Sequence, residues 1–352
     1  MRAAWIWPSG RESIARRLLL SPLVPFSWMV AAGAAIDRAV HTRGWRRVAK
    51  LSGKVVSVGN LVVGGTAKTP AAAWLARSLQ RRGHRVALAS RGTGRRVREK
   101  VLVVSDGRFV RSRAENAGDE PMLLSAQASG VPVVVARTRE LAGLRALSAF
   151  GSELLVLDDG FHHHRLYRDV DLVMIDAAVG FGNGAVLPRG PLRERMSALR
   201  FADAVGIVDG PLSEDDDAAL RRHAPDVLRF DAHRRPRALR SLAGGEEASP
   251  RCLANREVGM LAAIARPEGF RATLEDLGAR VVAERCFRDH HRYRARDLVG
   301  LRRDAEIWVT TEKDAVKITP SWVRGVDVRT LLIDFDVEAP AVLLDWLEAR
   351  LR

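Results

Sequence analysis

The stretch that decides the fold is residues 55–79, VVSVGNLVVGGTAKTPAAAWLARSL. Val55, Val56 and Val58 form an apolar run, which predicts a buried strand. A glycine-rich turn follows, with Gly59, Gly64 and Gly65. Lys68 and Thr69 close it, and Pro70 opens an Ala/Leu-rich helix where a missing N–H does no harm. Strand, glycine-rich loop, Lys-Thr and helix together describe a phosphate-binding loop. Val62, Val63, Gly64, Gly65, Thr66 and Ala67 are its cradle, Lys68 reaches the β- and γ-phosphates of a nucleotide, and the Thr69 hydroxyl holds Mg²⁺. In the pattern G-x-x-x-x-G-K-[ST] the two fixed glycines fall on Val62 and Ala67. If position 67 needs a left-handed backbone, Ala there costs about 1–2 kcal/mol.

Working outward, the apolar run at residues 154–157 ends in Asp158-Asp159. An apolar strand with a terminal Asp is the second half of a phosphate-loop nucleotide site, its carboxylate holding Mg²⁺ directly or through water. Asp158 and Asp159 therefore join Thr69 as metal candidates. His162, His163 and His164 come next, and three consecutive histidines project in different directions, which does not suit one metal ion. Further strands are expected at 85–89, 131–136, 170–175 and 204–208, the last two completing the sheet, and a hairpin at 101–110. Gly118-Asp119-Glu120-Pro121 opens a helix with acids in its first turn. Residues 209–249 read as a polar, irregular connection. A second α/β unit follows, with strands at 257–265, 281–287, 307–311 and 328–333 and a last helix at 341–351.

Residues 1–50 differ from the rest. Nine basic residues face two acidic ones, and nineteen uncharged residues, 18–36, lie between Arg17 and Asp37. That length is borderline for a span, which needs about 20 apolar residues. Pro22 and Pro25 interrupt its start, so an interfacial helix gripping anionic head groups fits better. The expected organisation is a membrane-associating segment at 1–50, a phosphate-loop domain at 51–225 and a smaller α/β domain at 226–352.

The chain has 352 residues and a formal charge of +15, from 57 basic and 42 acidic residues. That balance calls for an anionic partner. Arginine is scattered and no basic stripe with interleaved aromatics appears, so a nucleic acid is not expected. Cys252 and Cys286 show neither metal-ligand spacing nor a disulfide framework.

Taken together, the motifs resemble the tetraacyldisaccharide 4′-kinases of lipid A synthesis. The resemblance runs from about residue 13 to the C-terminus. It rests on SVGNLVVGGTAKTP (57–70), SRGTGR (90–95), GDEP (118–121), DDGFHHHRL (158–166), GNGAVLPRGPLRE (182–194), IARPEGF (264–270), DHHRY (289–293) and TTEKDAVK (310–317). It implies an α/β/α sandwich of the P-loop NTPase type with a smaller second α/β domain, peripheral on the cytoplasmic face of the inner membrane. It also implies transfer of the γ-phosphate of ATP, with Mg²⁺, to the 4′-hydroxyl of a lipid disaccharide 1-phosphate. The chain departs from the family pattern at Ala67 (Gly in the family), Thr93 (often aromatic), Thr138 (often an acid) and His162 (Gln).

A sugar hydroxyl needs a base within hydrogen-bond reach. Asp119 is the best candidate, and the resemblance to GDEP supports it; His290 or His291 assists. Arg139 and Arg193 are candidates for gripping phosphate, and Glu194 for metal or base support. The competing reading is a P-loop GTPase or metallochaperone-type NTPase. TTEKD is superficially like the guanine-reading T-K-x-D, but Lys313 and Asp314 are adjacent, so the spacing fails. Oligomeric state is not legible in the sequence.

Overall fold

The computed structural model describes residues 13–92 and 99–352. Thr93 to Arg96 of the SRG turn, and Arg2, Arg11 and Glu12 of the N-terminal charge pattern, lie outside the described residues. The chain begins with helices α1 (Ile14–Leu19) and α2 (Val24–Thr42). The phosphate-loop half follows: β1 (Lys54–Gly59), α3 (Lys68–Arg81), β2 (Val86–Ser90), β3 (Val101–Asp106), α4 (Ala114–Ala117), α5 (Asp119–Gln127), β4 (Pro132–Ala136), α6 (Arg139–Phe150), β5 (Leu154–Asp158), β6 (Val170–Asp176), β7 (Ala204–Val208) and α7 (Glu214–His223). The second half holds β8 (Leu228–Ser241), β9 (Glu247–Ala248), β10 (Glu257–Ala262), α8 (Pro267–Asp276), β11 (Arg280–Cys286), α9 (Leu301–Asp304), β12 (Ile307–Thr311), α10 (Glu312–Ala315), β13 (Asp327–Val337) and α11 (Pro340–Leu351).

Among the described residues all thirteen strands join one sheet, ordered β11-β10-β12-β13-β8-β7-β6-β1-β5-β2-β4-β3, with β9 paired to β8. The sheet does not close at β7, as the pattern of apolar runs implies. It continues through β8, parallel to β7 on one side and antiparallel to β13 on the other. The sequence of β8 reads as polar because it is two-faced. Phe230, Ala232, Ala238 and Leu239 are buried, while Arg234 and Arg237 pair with Asp209 and Glu247. Pro236, which donates no hydrogen bond to a ladder, stands where the register shifts between Leu332 and Ile333. The acidic run at 214–217 is the first turn of α7, where negative charge suits the helix dipole, and Ser213 caps it.

β1 lies between β5 and β6, parallel to both. Its side chains are buried on both faces, which is why it reads as a near-continuous apolar run. The strand order turns here: the chain runs from β1 out through β2 and β4 on one side, returns through β5, and crosses to β6 and β7 on the other. Such a switch leaves a crevice beyond the carboxyl ends of the strands, and the loop after β1 opens into it. One face of the sheet is covered by α3 and α11, whose Leu75, Leu79, Leu343 and Leu347 share a core with Val56 and Val58. The other is covered by α6 near β2, β4 and β5, and by Leu61, Val62, Phe161 and Leu192 near β1 and β6.

α2 lies against that second face. Ser27, Ala31, Arg38 and His41 are its buried residues, and Ala31 joins the cluster of Leu61, Val62 and Phe161. Much of the remaining helix surface is exposed: Ile14 is 80%, Leu19 77% and Met29 71% accessible.

Gly59 is the tightest point of the β1 turn. A Cβ there would sit 2.4 Å from the Phe161 Cβ and 2.8 Å from its backbone N. Gly59→Ala therefore forces backbone apart and should cost about 1–3 kcal/mol in urea unfolding. An unchanged unfolding free energy would show that β1 and the turn after β5 do not pack this closely.

Candidate active site

The phosphate loop has the predicted backbone. Ala67 sits in the left-handed region at φ 59°, ψ 20°, and is the N-cap of α3. Gly64 has φ 113°. The αL turn at 67 swings Lys68 and Thr69 into the first turn of α3, where N–H groups are unpaired and the helix dipole is positive. Val63 N–H donates to the Pro191 carbonyl and Arg193 N–H to the Leu61 carbonyl, both at 2.9 Å, so the 191–193 segment fixes the entry of the loop. The Thr66 Oγ1 is buried without a partner, a polar atom left for a ligand.

Thr69 and Asp158 come together: the hydroxyl lies 3.3 Å and 3.4 Å from the two carboxylate oxygens. Burial and the like charge of Glu120 push the Asp158 carboxyl up, to about 7. Asp159 points elsewhere. It lies at φ 55°, and its carboxylate takes Arg193 at 2.9 Å and Lys68 at 3.3 Å. Burial opposes its ionisation, but those two cations outweigh burial and hold it well below the usual carboxylate range. The two aspartates that the sequence groups as metal candidates thus part company. Asp158 faces the threonine with hard oxygen donors suited to Mg²⁺, and Asp159 faces cations.

Arg139 and Arg193 flank the same turn. Arg139 is buried and donates to the Asp158 carbonyl at 2.8 Å and the Asp159 carbonyl at 3.3 Å. Thr138 caps α6 by accepting from the Leu141 N–H. Beside them opens a cavity of about 570 Å³ walled by Arg47, Arg91, Arg137, Arg139, Arg165 and Arg193. Burial and the surrounding arginines lower the His163 pKa to about 4, so that histidine, which also lines the cavity, stays neutral. Sequence reading missed this cavity, because its arginines come from five separate segments.

Asp119 starts α5 and is buried. Its Oδ2 lies 2.9 Å from His290 Nδ1, and Lys317 Nζ is 3.9 Å away. Burial works against the charge, but the His290 bond and the Lys313 and Lys317 charges prevail and keep the carboxyl below its ordinary value. The same bond raises His290 above its ordinary value. His290 has φ 59°, a backbone state that aims its ring at Asp119. His291 turns away: Nε2 meets Asp297 at 3.0 Å, and its ring stacks on Phe287 at 4.4 Å. The dyad is therefore Asp119–His290. Glu120, unassigned from sequence, carries charge felt both by Asp158 and by Lys313.

Glu194, expected to support metal or base, is engaged instead with Arg38 and His162. Both oxygens are taken by Arg38, at 2.9 Å and 3.0 Å, and Oε1 also lies 2.6 Å from His162 Nδ1. Asp314 of TTEKD is likewise internal: it accepts from the Ala263 N–H at 2.9 Å and from Thr311 at 2.8 Å. That geometry pins the β10 and β12 ends together and turns the Asp314 carboxylate inward.

A phosphate loop, a Thr–Asp pair and a carboxylate–histidine dyad at one sheet edge define a P-loop phosphotransferase. The family model for tetraacyldisaccharide-1-P 4′-kinase matches residues 19–352. The chain is 41% identical to the tetraacyldisaccharide 4′-kinase of Anaeromyxobacter sp. strain Fw109-5, covering 95% of this chain and 91% of that protein. It is 39% identical to that of Syntrophus aciditrophicus, covering 91% and 89%. Among solved structures, LpxK from Aquifex aeolicus in complex with ATP superposes with TM-score 0.77 at 29% identity, over 95% of this chain and all of that one. The chain belongs to the tetraacyldisaccharide 4′-kinase family and is an ATP-dependent kinase; the GTPase reading is not favoured.

The Ala67 turn gives a direct test. Ala67→Gly relieves the αL cost of about 1–2 kcal/mol but removes a buried methyl worth about 0.8 kcal/mol. ATP affinity measured by titration should hold level or tighten. A clear loss would mean that the Ala67 side chain, and not the turn, serves the nucleotide.

Proposed function

We propose that the chain transfers the γ-phosphate of ATP to the 4′-hydroxyl of a tetraacyldisaccharide 1-phosphate, with Asp119 as base. The observation that carries this reading is the 2.9 Å Asp119–His290 contact, which joins the two halves beside the phosphate loop. ATP lies on residues 62–69, with Lys68 on the β- and γ-phosphates. Mg²⁺ held by Thr69 and Asp158 would neutralise charge on those phosphates. On ATP entry Lys68 exchanges Asp159 for phosphate, and Arg193 keeps Asp159 paired. Asp119, ionised at neutral pH, takes the proton of the sugar hydroxyl as the oxygen attacks phosphorus in line and ADP leaves. His290 holds the carboxylate's orientation. The arginine-walled cavity receives the anionic end of the lipid disaccharide. Residues 51–225 and 226–352 act as the two units that bring the loop and His290 together, with β8 at the seam.

The N-terminal helices seat the enzyme on the cytoplasmic leaflet of the inner membrane. Ser21–Thr42 is long and apolar enough to cross a membrane by length and composition. But one stripe of α2, from Ser27 to His41, is packed on the sheet. A helix docked along its length lies in the interface and does not leave to span, and its exposed Phe26, Trp28, Met29 and Ile36 face lipid.

Two tests follow from this chemistry. With labelled ATP and the lipid disaccharide 1-phosphate, Asp119→Asn should lower kcat by about 10²–10⁴-fold with little change in KM for ATP. His290→Ala removes the strongest stabiliser of the ionised carboxylate, so the Asp119 pKa rises and the acidic limb of the kcat/KM profile moves to higher pH. Loss of ATP binding in Asp119→Asn, or an unmoved acidic limb in His290→Ala, would reject the base assignment. For the anchor, Leu18→Ser, Trp28→Ser and Ile36→Ser together should shift the protein out of vesicles containing anionic lipid and raise KM for lipid while sparing KM for ATP. Unchanged partition would reject the interfacial helix.

A further inference from the structure

The exposed apolar α2 carries one residue that does not belong to a lipid anchor. Arg38 is 5% exposed, and its guanidinium is clamped between the rings of Phe161 and Phe201, at 4.8 Å and 4.7 Å. It donates from Nε and Nη2 to the two oxygens of Glu194, at 2.9 Å and 3.0 Å. Fork-to-fork pairing of this kind fixes orientation as well as distance. Glu194 lies 2.6 Å from His162 Nδ1, and His162 Nε2 lies 2.7 Å from the carbonyl of Asn60. Asn60 is the first residue after β1, and its side chain donates to the Val62 carbonyl inside the phosphate loop. The route from the anchor to the loop is therefore unbroken: Arg38, Glu194, His162, Asn60, Val62.

We infer that Arg38 is a positioning residue for the nucleotide loop, acting from the membrane-facing helix through Glu194 and His162. The inference rests on the reading of residues 62–69 as the ATP cradle. A network explains features that a simple ion pair does not. Glu194 is buried with both oxygens engaged by Arg38 and one of them also by His162. Its chain neighbour Arg193 reaches Asp159 at 2.9 Å, and the Arg193 N–H holds the Leu61 carbonyl. One short segment thus grips the loop by its backbone, the Asp158–Asp159 turn by Arg193 and the anchor by Glu194. His162 bridges a carboxylate and a carbonyl through its two ring nitrogens, and Gln is another side chain with two polar ends able to do so. A consequence is that deleting α2 does more than free the enzyme from lipid. It leaves Glu194 without its main cation and slackens the loop.

The test uses the full chain and direct ATP titration, with KM for ATP and for lipid and partition to anionic vesicles measured alongside. Arg38→Met and His162→Ala should each weaken ATP binding about tenfold, the loss of one charge-assisted bond, and raise KM for ATP in step. KM for lipid and vesicle partition should stay near parent values. His162→Gln should restore ATP affinity to within a fewfold of the parent. The Arg38→Met/His162→Ala pair should bind ATP no more weakly than the worse single variant, because both cut one chain of contacts. Removing a buried cation risks the fold, so if Arg38→Met unfolds, the half-exposed His162 pair of variants decides alone. Lys68→Ala is the control. If it loses ATP while Arg38→Met and His162→Ala bind normally, or lower only the melting temperature, the coupling is wrong. If Lys68→Ala binds ATP normally, the cradle reading falls first and the inference with it.

Discussion

The left-handed turn at Ala67 is the constraint on which the site depends. β1 delivers the chain to the crevice between β5 and β6, and α3 must start back across the sheet at once. Only a reversal at residue 67 lets Lys68 and Thr69 occupy the first helical turn, where both the dipole and the unpaired N–H groups favour an anion. Glycine makes that reversal without strain. Alanine makes it at a cost of about 1–2 kcal/mol, small beside the burial of Val56, Val58, Leu75 and Leu79 around it. The same conformation recurs at Asp159 and His290. Each of these three non-glycine residues sits where a side chain or helix start must face the crevice, and strain of this kind persists only where surrounding packing over-determines it.

Charge compensation is the second organising rule. The crevice gathers Asp119, Glu120, Asp158 and Asp159 within a single α/β edge, and like charges so close raise one another's cost. The structure separates them by assigning each a different partner. Asp159 takes Lys68 and Arg193, Asp119 takes His290 with Lys313 and Lys317 nearby, and Asp158 keeps only the Thr69 hydroxyl and the field of its neighbours. Asp158 is therefore the group pushed upward, and its ionised form is the one that a divalent cation would favour most. Two adjacent aspartates acquire opposite electrostatic environments from one backbone turn.

Much of this was legible in the sequence because local patterns carry it. The β1 run, the loop glycines, Lys68-Thr69 and the Asp158 strand end are all contiguous signals, and each element formed where its periodicity placed it. What was not legible is pairing across distance. Nothing in DHHRY distinguishes His290 from His291; the choice is made by a positive φ at 290 and by Phe287, which draws His291 into a stack. Glu194 reads as a functional carboxylate beside Arg193, yet Arg38, 156 positions earlier, claims it. β8 reads as a loop because its arginines answer acids on neighbouring segments. The arginine-walled cavity has no motif at all.

That cavity also accounts for the sign and distribution of the charge. An excess of fifteen positive charges spread evenly over a surface would suit a polyanion. Here arginines are instead drawn inward, from the end of α2, the β2 and β4 ends and the turn after β5, to one concave wall. Arg139 gives up solvation to hold the Asp158–Asp159 turn, and burial lowers its pKa accordingly. Basic residues gathered on a concave wall present their charge to a discrete volume, whereas those scattered over a surface do not. One chain thus presents two kinds of positive charge, one concentrated on the concave wall beside Lys68 and Asp159 and one spread over the surface.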